Sequence, residues 1–160
     1  MRRIAVIRSG GQTGADRAGL DAAVANGVTT VGWVPLGGSA EDLREPPGLI
    51  SMYDGMRDSG TLDLTVRTRL NVRDSHATLI VFPWEGEMTP GSAMTAGFAE
   101  EYGRPLFVSN GDDLDEILDW LSGIGNELTL NIAGPTESKR PGTYDVAYRL
   151  IDALLKADSE

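Results

Sequence analysis

The sequence predicts an α/β protein, and three observations predict it. Short continuous apolar runs, such as Ile4-Ala5-Val6-Ile7 and Ala77-Thr78-Leu79-Ile80-Val81-Phe82, have the length and composition of strands buried on both faces. Segments with helical periodicity alternate with them. Loops rich in glycine and small polar residues join the ends of those strands to the helices, the pattern of a parallel sheet crossed by helices.

The first strand runs into Ser9-Gly10-Gly11-Gln12-Thr13-Gly14-Ala15-Asp16, after which Leu20, Ala23 and Val24 share one helical face. Glycines permit a tight turn and close approach of backbone N–H groups, and a helix N-terminus carries about half a positive charge. The stretch therefore reads as an anion or phosphate cradle, with a plain connecting turn as the alternative. Thr13 and Asp16 stand at capping-box spacing, so Asp16 is either a ligand-site carboxylate or a helix-capping acid. No Lys-Ser/Thr pair follows Gly14, and the spacing is not G-x-G-x-x-G, which argues against a P-loop and an ordinary dinucleotide fingerprint.

Gly27 ends the first helix and Val28 to Val34 forms a second strand, giving a right-handed βαβ unit. From Pro35 to about Leu64 no period is sustained. This stretch is either a lid or wall of the site or a surface excursion. Residues 65 to 75 form a helix carrying Arg67, Arg69 and Arg73, and Arg73 either clamps a phosphate or pairs with Asp74 or other acids. The third strand, Ala77 to Phe82, exits through Pro83 to Ser92, including Gly91, onto a helix bearing Met94, Gly97, Phe98 and Tyr102. Trp33 and Trp84, each at a strand exit, can stack on a ligand ring or close the core.

Pro105 to Val108 is the fourth strand. Asp113 and Glu116, at box spacing, start a helix with a buried stripe of Leu114, Ile117, Leu118 and Leu121. The fifth strand, Leu128 to Ile132, leads into a polar loop from Ala133 to Gly142 that holds Gly134, Ser138, Lys139 and Arg140; the basic pair either meets the ligand or is solvated. Tyr144, Ala147, Tyr148, Ile151, Leu154 and Leu155 then mark the last helix. The first and third strands carry similar loops, which share one crevice if the strands are neighbours, as in the order 2-1-3-4-5. The expectation is one Rossmann-like domain over residues 1–160, a three-layer sandwich with a mainly parallel five-stranded sheet in that order.

A chain of 160 residues can bury a core without staples, and it contains no cysteine, which excludes disulfides, thiolate metal sites and cysteine nucleophiles. With 14 basic against 24 acidic residues the net charge is −10, unfavourable for nucleic acid or an anionic membrane but not for a small anion held locally. The first apolar run is too short for a signal peptide, so a cytoplasmic protein is expected. His76, the one histidine, precedes the third strand and so lies at the end of the sheet away from the glycine loops; a structural role is expected for it. No cluster has metal-ligand spacing, and no metal site is expected.

Several longer stretches carry a family resemblance. SGGQTGADRAGLDAA at 9–23, the Gly32-Trp33-x-Pro35 turn with Ala40-Glu41-Asp42, Arg67-Thr68-x-x-Asn71-Val72-x-Asp74-Ser75, and LNIAGPTESKRPGTY at 130–144 together resemble the putative molybdenum carrier family. That family is similar to Rossmann-like proteins that include molybdenum cofactor carriers and cytokinin-activating phosphoribohydrolases. The resemblance implies a pterin or nucleotide-derived ligand, with the molybdenum cofactor (molybdopterin) first, and a homo-oligomer, dimer or tetramer. In the hydrolases a P-G-G-x-G-T-x-x-E element supplies the catalytic acid. Aligning Pro90, Gly91 and Thr95 with it places Ser92 and Met94 at its later glycines and Phe98 at the acid.

The expected function is capture of a small phosphate-bearing ligand rather than catalysis. The alternatives are a nucleotide-derived ligand sensor and a phosphoribohydrolase-type enzyme acting on nucleoside monophosphates. The candidate ligand-binding residues are Ser9, Gly10, Gly11, Gln12, Thr13, Gly14 and Asp16 of the first loop and Trp33 after it. Arg73, then Gly91, Ser92 and Thr95 of the third-strand loop and helix, and Gly134, Ser138 and Lys139 of the last loop complete the set.

Overall fold

The chain is described by a computed structural model over residues 2–160. The elements follow in the order β1 (Ile4–Arg8), α1 (Ala15–Ala25), β2 (Thr29–Val34), α2 (Leu49–Met52), β3 (Met56–Asp58), α3 (Leu64–Arg73), β4 (Ala77–Val81), α4 (Pro90–Glu101), β5 (Leu106–Ser109), α5 (Leu114–Ser122), β6 (Leu128–Ala133) and α6 (Thr143–Asp158). Six strands form one sheet in the order β3-β2-β1-β6-β4-β5, and every neighbouring pair is parallel.

This corrects the expected five strands in order 2-1-3-4-5. The additional strand, β3, is three residues long and pairs with Gly32–Val34; a run that short between Gly55 and Gly60 shows no alternation to read. The order differs because β6 lies between β1 and β4. Counted from β4 instead of β1, the sheet reads 2-1-3-4-5-6, the doubly wound order with the chain entering at a different strand. Burial agrees with this placement. From Leu128 to Ala133 only Thr129 escapes full burial, as a central strand requires, whereas Val108 on the edge strand β5 is exposed.

The faces of the sheet differ in kind. Ile4, Ile7, Leu79, Val81, Leu130 and Ile132 join α1, α5 and α6 in the main core, with Ala18, Ala22, Ile117, Ile151 and Leu154 from the helices. The opposite face, under α3 and α4, has a small apolar cluster of Ile80, Phe82 and Ala133, and beside it the polar side chains of Thr78 and Asn131, bonded to each other at 3.3 Å. Polar groups at the middle of a sheet are costly unless they are paired or serve a site.

Residues 35–64 fold as a wall beside the first loop. Leu49, Tyr53 and Met56 form a satellite core with Leu20 and Val34. Glu41 and Asp42 grip the loop, since the Arg17 guanidinium donates to both Asp42 oxygens at 2.9 and 2.8 Å and through Nε to the Gly11 carbonyl at 3.0 Å. Arg17 holds the Asp42 carboxyl below the usual carboxylate range. Tyr53 and Tyr144 both donate to Asp21, tying this wall and α6 to α1.

Candidate functional site

A cavity of about 290 Å³ opens at the C-terminal ends of β1, β6 and β4, where the strand order reverses. That reversal is where open α/β sheets bind ligands. The first and third predicted strands do not adjoin, because β6 separates them; its own loop supplies the third wall.

The wall from α4 is a helix start. Thr89 caps it by accepting from the Ser92 N–H, and Pro90 occupies the first turn. Thr89 Oγ1 also donates to Ser92 Oγ at 3.1 Å, so the Ser92 hydroxyl hydrogen is uncommitted. Thr95 donates to the Gly91 carbonyl one turn back. Among the described residues no acceptor takes the Gly91 N–H, and the positive end of a twelve-residue helix therefore faces the cavity.

The wall from α3 contains Leu64, Arg67, Thr68 and Asn71. Their spacing of three, four and seven residues places them on one helical face. A helix packed on a sheet ordinarily turns an apolar stripe inward, so a polar face directed at the protein was the signal by which sequence reasoning could have found Arg67 and Asn71. Asn71 is spent, bonding both the N–H and the carbonyl of Trp33. Arg67 is not: Nη1 donates to Asp16 Oδ2 at 3.1 Å, and Nε is buried without a partner among the described residues. Gly10 makes room for it, since a Cβ there would collide with Arg67 Nη1.

Asp16 is therefore not a capping acid. Gly14 is the cap position of α1 and makes no side-chain bond. Its φ of 83°, together with the Pro135 carbonyl that fills the place a Cβ would take, requires glycine. Burial pushes the Asp16 carboxyl up from its ordinary value, and the Arg67 guanidinium and the Gln12 N–H pull against that without cancelling it. The other expected capping box also fails, because Asp113 turns its carboxylate to the Ser109 hydroxyl and the Asn110 N–H.

Of the predicted residues, Gly10, Gln12, Asp16, Gly91, Ser92, Thr95, Gly134 and Lys139 line the cavity. Ser9, Gly11, Thr13 and Gly14 stand behind it. Ser9 donates to the Asp16 carbonyl and accepts from the Gly11 N–H; Gly11 packs on Leu49; the Thr13 hydroxyl goes to Glu41, which also takes the Ser138 hydroxyl at 2.7 Å. Trp33 and Arg73 are not brought to the cavity. The Trp33 indole donates to Asp74 at 2.8 Å beneath the Arg57 guanidinium, and Arg73 pairs with the same Asp74. Trp84 donates to Thr143 and closes against the small core. His76 accepts from the Thr129 N–H at the opposite end of the sheet. Asn131, Thr68 and Thr89 line the cavity without having been singled out.

A model of the circularly permutated YpsA SLOG family matches residues 7–155. The chain belongs to that family. The permutation named in its description agrees with a sheet that takes the doubly wound order when counted from β4. This family member is also similar to a protein of Syntrophus aciditrophicus whose crystal structure is described as that of a putative molybdenum carrier protein. The two are 38% identical over 96% of each chain, with a TM-score of 0.86. No curated protein matches the chain. Among the described residues of this family member, no group of His, Cys, Asp and Glu is placed to hold a metal ion, and no helix is long and apolar enough to cross a membrane.

Proposed function

We propose that this protein binds a phosphate-bearing pterin, the molybdenum cofactor, as a carrier-like protein. The observation that carries the reading is the convergence of the α4 N-terminus, Arg67 and Lys139 on one cavity at the switch point of the sheet. The phosphate sits against the Gly91 N–H and the Ser92 hydroxyl, within reach of the Arg67 charge. The pterin ring lies over Asn131 and Thr95 between the apolar edges of Leu64 and Met94, all of which line the cavity. The first glycine loop orients this arrangement from behind. A cavity of 290 Å³ is near the lower end of small-ligand sites, so part of the ligand remains at the open mouth. The homo-oligomer expected from the resemblance has a surface to use, because Ala93, Met94 and Gly97 stand exposed on α4; light scattering in solution tests it.

Purified cofactor retained on the protein, followed by fluorescence of the oxidised pterin, tests the proposal. Saturable retention that Gly91→Trp abolishes supports it; no retention by a folded protein rejects it. The hydrolase reading is favoured by one observation, that Asp16 is a buried carboxylate inside the cavity while Phe98 stands where the hydrolases have their acid. Release of free base from nucleoside monophosphates, lost in Asp16→Asn, would replace the carrier reading with that one.

A further inference from the structure

Among the described residues, Arg67, with five N–H donors, has a single acceptor, Asp16. The two side chains are each 11% exposed, and among the described residues Nε has no partner. Asp16 is the one carboxylate in the cavity lining. The first loop, which has the form of an anion cradle, commits three of its N–H groups within the chain, Gly11 to Ser9, Thr13 to Gln12 and Ala15 to Pro135. The loop's own carboxylate, Asp16, is the anion that Arg67 holds. Charges facing Asp16 are Arg67 from α3, Arg17 on α1, and Lys139 in the loop after β6; the cavity wall from α4 brings none. Glu41 is bonded to Thr13 and Ser138, and Asp42 to Arg17.

We propose that Asp16 is the resident counter-anion of Arg67, and that an anionic ligand entering the cavity displaces it, taking over the guanidinium in a step that protonation of Asp16 promotes. The inference rests on the cavity being the ligand site. A phosphate at the α4 N-terminus and the Asp16 carboxylate compete for one under-used cation, and each opposes the other's charge in a poorly solvated space. Burial, which raises the Asp16 carboxyl, makes the proton an available substitute for Arg67 as its partner. Loading is then coupled to proton uptake, and release to proton loss.

Sulfate is the probe, because its charge does not change between about pH 5 and pH 8, and its binding is followed by calorimetric titration. The expected result is tighter sulfate binding as pH falls, with proton uptake seen as a dependence of the heat on buffer ionisation. In Asp16→Asn, sulfate binds about tenfold more tightly than in the parent at neutral pH, and the pH dependence disappears. In Arg67→Gln, sulfate binding is lost. Asp16→Asn binding equal to or weaker than the parent overturns the proposal and makes Asp16 an orienting residue or a reader of ligand N–H donors. If Asp16→Asn does not fold, the parent alone decides, since pH-independent binding without proton uptake also overturns it. Cofactor retention by the parent protein with no effect of Asp16→Asn would leave the cavity reading intact and remove only the exchange. Neither sulfate nor cofactor bound at any pH would remove both.

Discussion

The buried pair of Asp16 and Arg67 makes a stability prediction that can be worked from its geometry. At 3.1 Å, in an environment of effective dielectric about 20, the gross attraction is about 5 kcal/mol. Both groups are almost wholly removed from water, so solvent screening takes little of this, and the measured penalty for breaking such a pair is about 3–5 kcal/mol. Arg67→Gln strands a buried carboxylate. For a domain of this size each kcal/mol moves the midpoint by about 2–4 °C, so a loss of roughly 10 °C is expected at neutral pH. Asp16→Asn should lose less, because the amide oxygen still accepts from Nη1. The double variant, two neutral groups that can bond each other, should recover most of the loss. The sign of the pH effect follows from burial. Without Arg67 the folded carboxyl is raised further above its unfolded value, the native state binds the extra proton, and stability rises as pH is lowered through the folded value toward the unfolded one. Thermal melts of all four proteins at neutral and mildly acidic pH make the cycle. Additive losses, or an Arg67→Gln deficit that does not shrink in acid, would refute the reasoning.

Other outcomes follow from single contacts. Apart from its chain neighbours and its own helix backbone, no described atom stands within 4 Å of a Cβ at Gly91, so Gly91→Trp should block the cavity and leave the melting midpoint within about 3 °C of the parent. Gly11→Trp should instead unfold the region, since its φ is 73° and Leu49 stands 2.7 Å from the new Cβ. Arg17→Met removes the Gly11 carbonyl bond and both bonds to Asp42, for a loss of about 3 kcal/mol by denaturant titration. Asp42→Asn should lose under about 1 kcal/mol, because Asp42 is 47% exposed. The depressed Asp42 carboxyl contributes above its unfolded value, and the difference vanishes as pH falls through the folded one. Asp158→Ala frees the N–H groups of Arg3 and Ile4 at the start of β1, and should lower stability by about 1–3 kcal/mol and raise amide exchange there.

Most elements were legible because their causes are local. Buried parallel strands are continuous apolar runs, and α6 carries its stripe from Tyr144 to Leu155 in its own periodicity. The helix after β4 was legible but its start was not: Pro83 to Ser92 read as loop, whereas Thr89 caps the helix and Pro90 to Ser92 form its first turn. Asp16 was not. Its spacing from Thr13 suits a capping box, and only the approach of α3, fifty residues on, turns it into an ion-pair partner. Asp74 likewise draws Trp33 away from the cavity, and Arg73 takes the second of its two readings, the pair with Asp74.

The sequence by itself determined the α/β class, the alternation of strands and helices and the family resemblance, because each is a property of neighbouring residues or of motifs in linear order. Only the tertiary structure decided that β6 stands between β1 and β4, that Arg67 holds the carboxylate of Asp16, and that Arg67 lines the cavity. Adjacency of strands and pairing of charges distant in the chain depend on which surfaces bury each other, and a linear pattern does not carry that information.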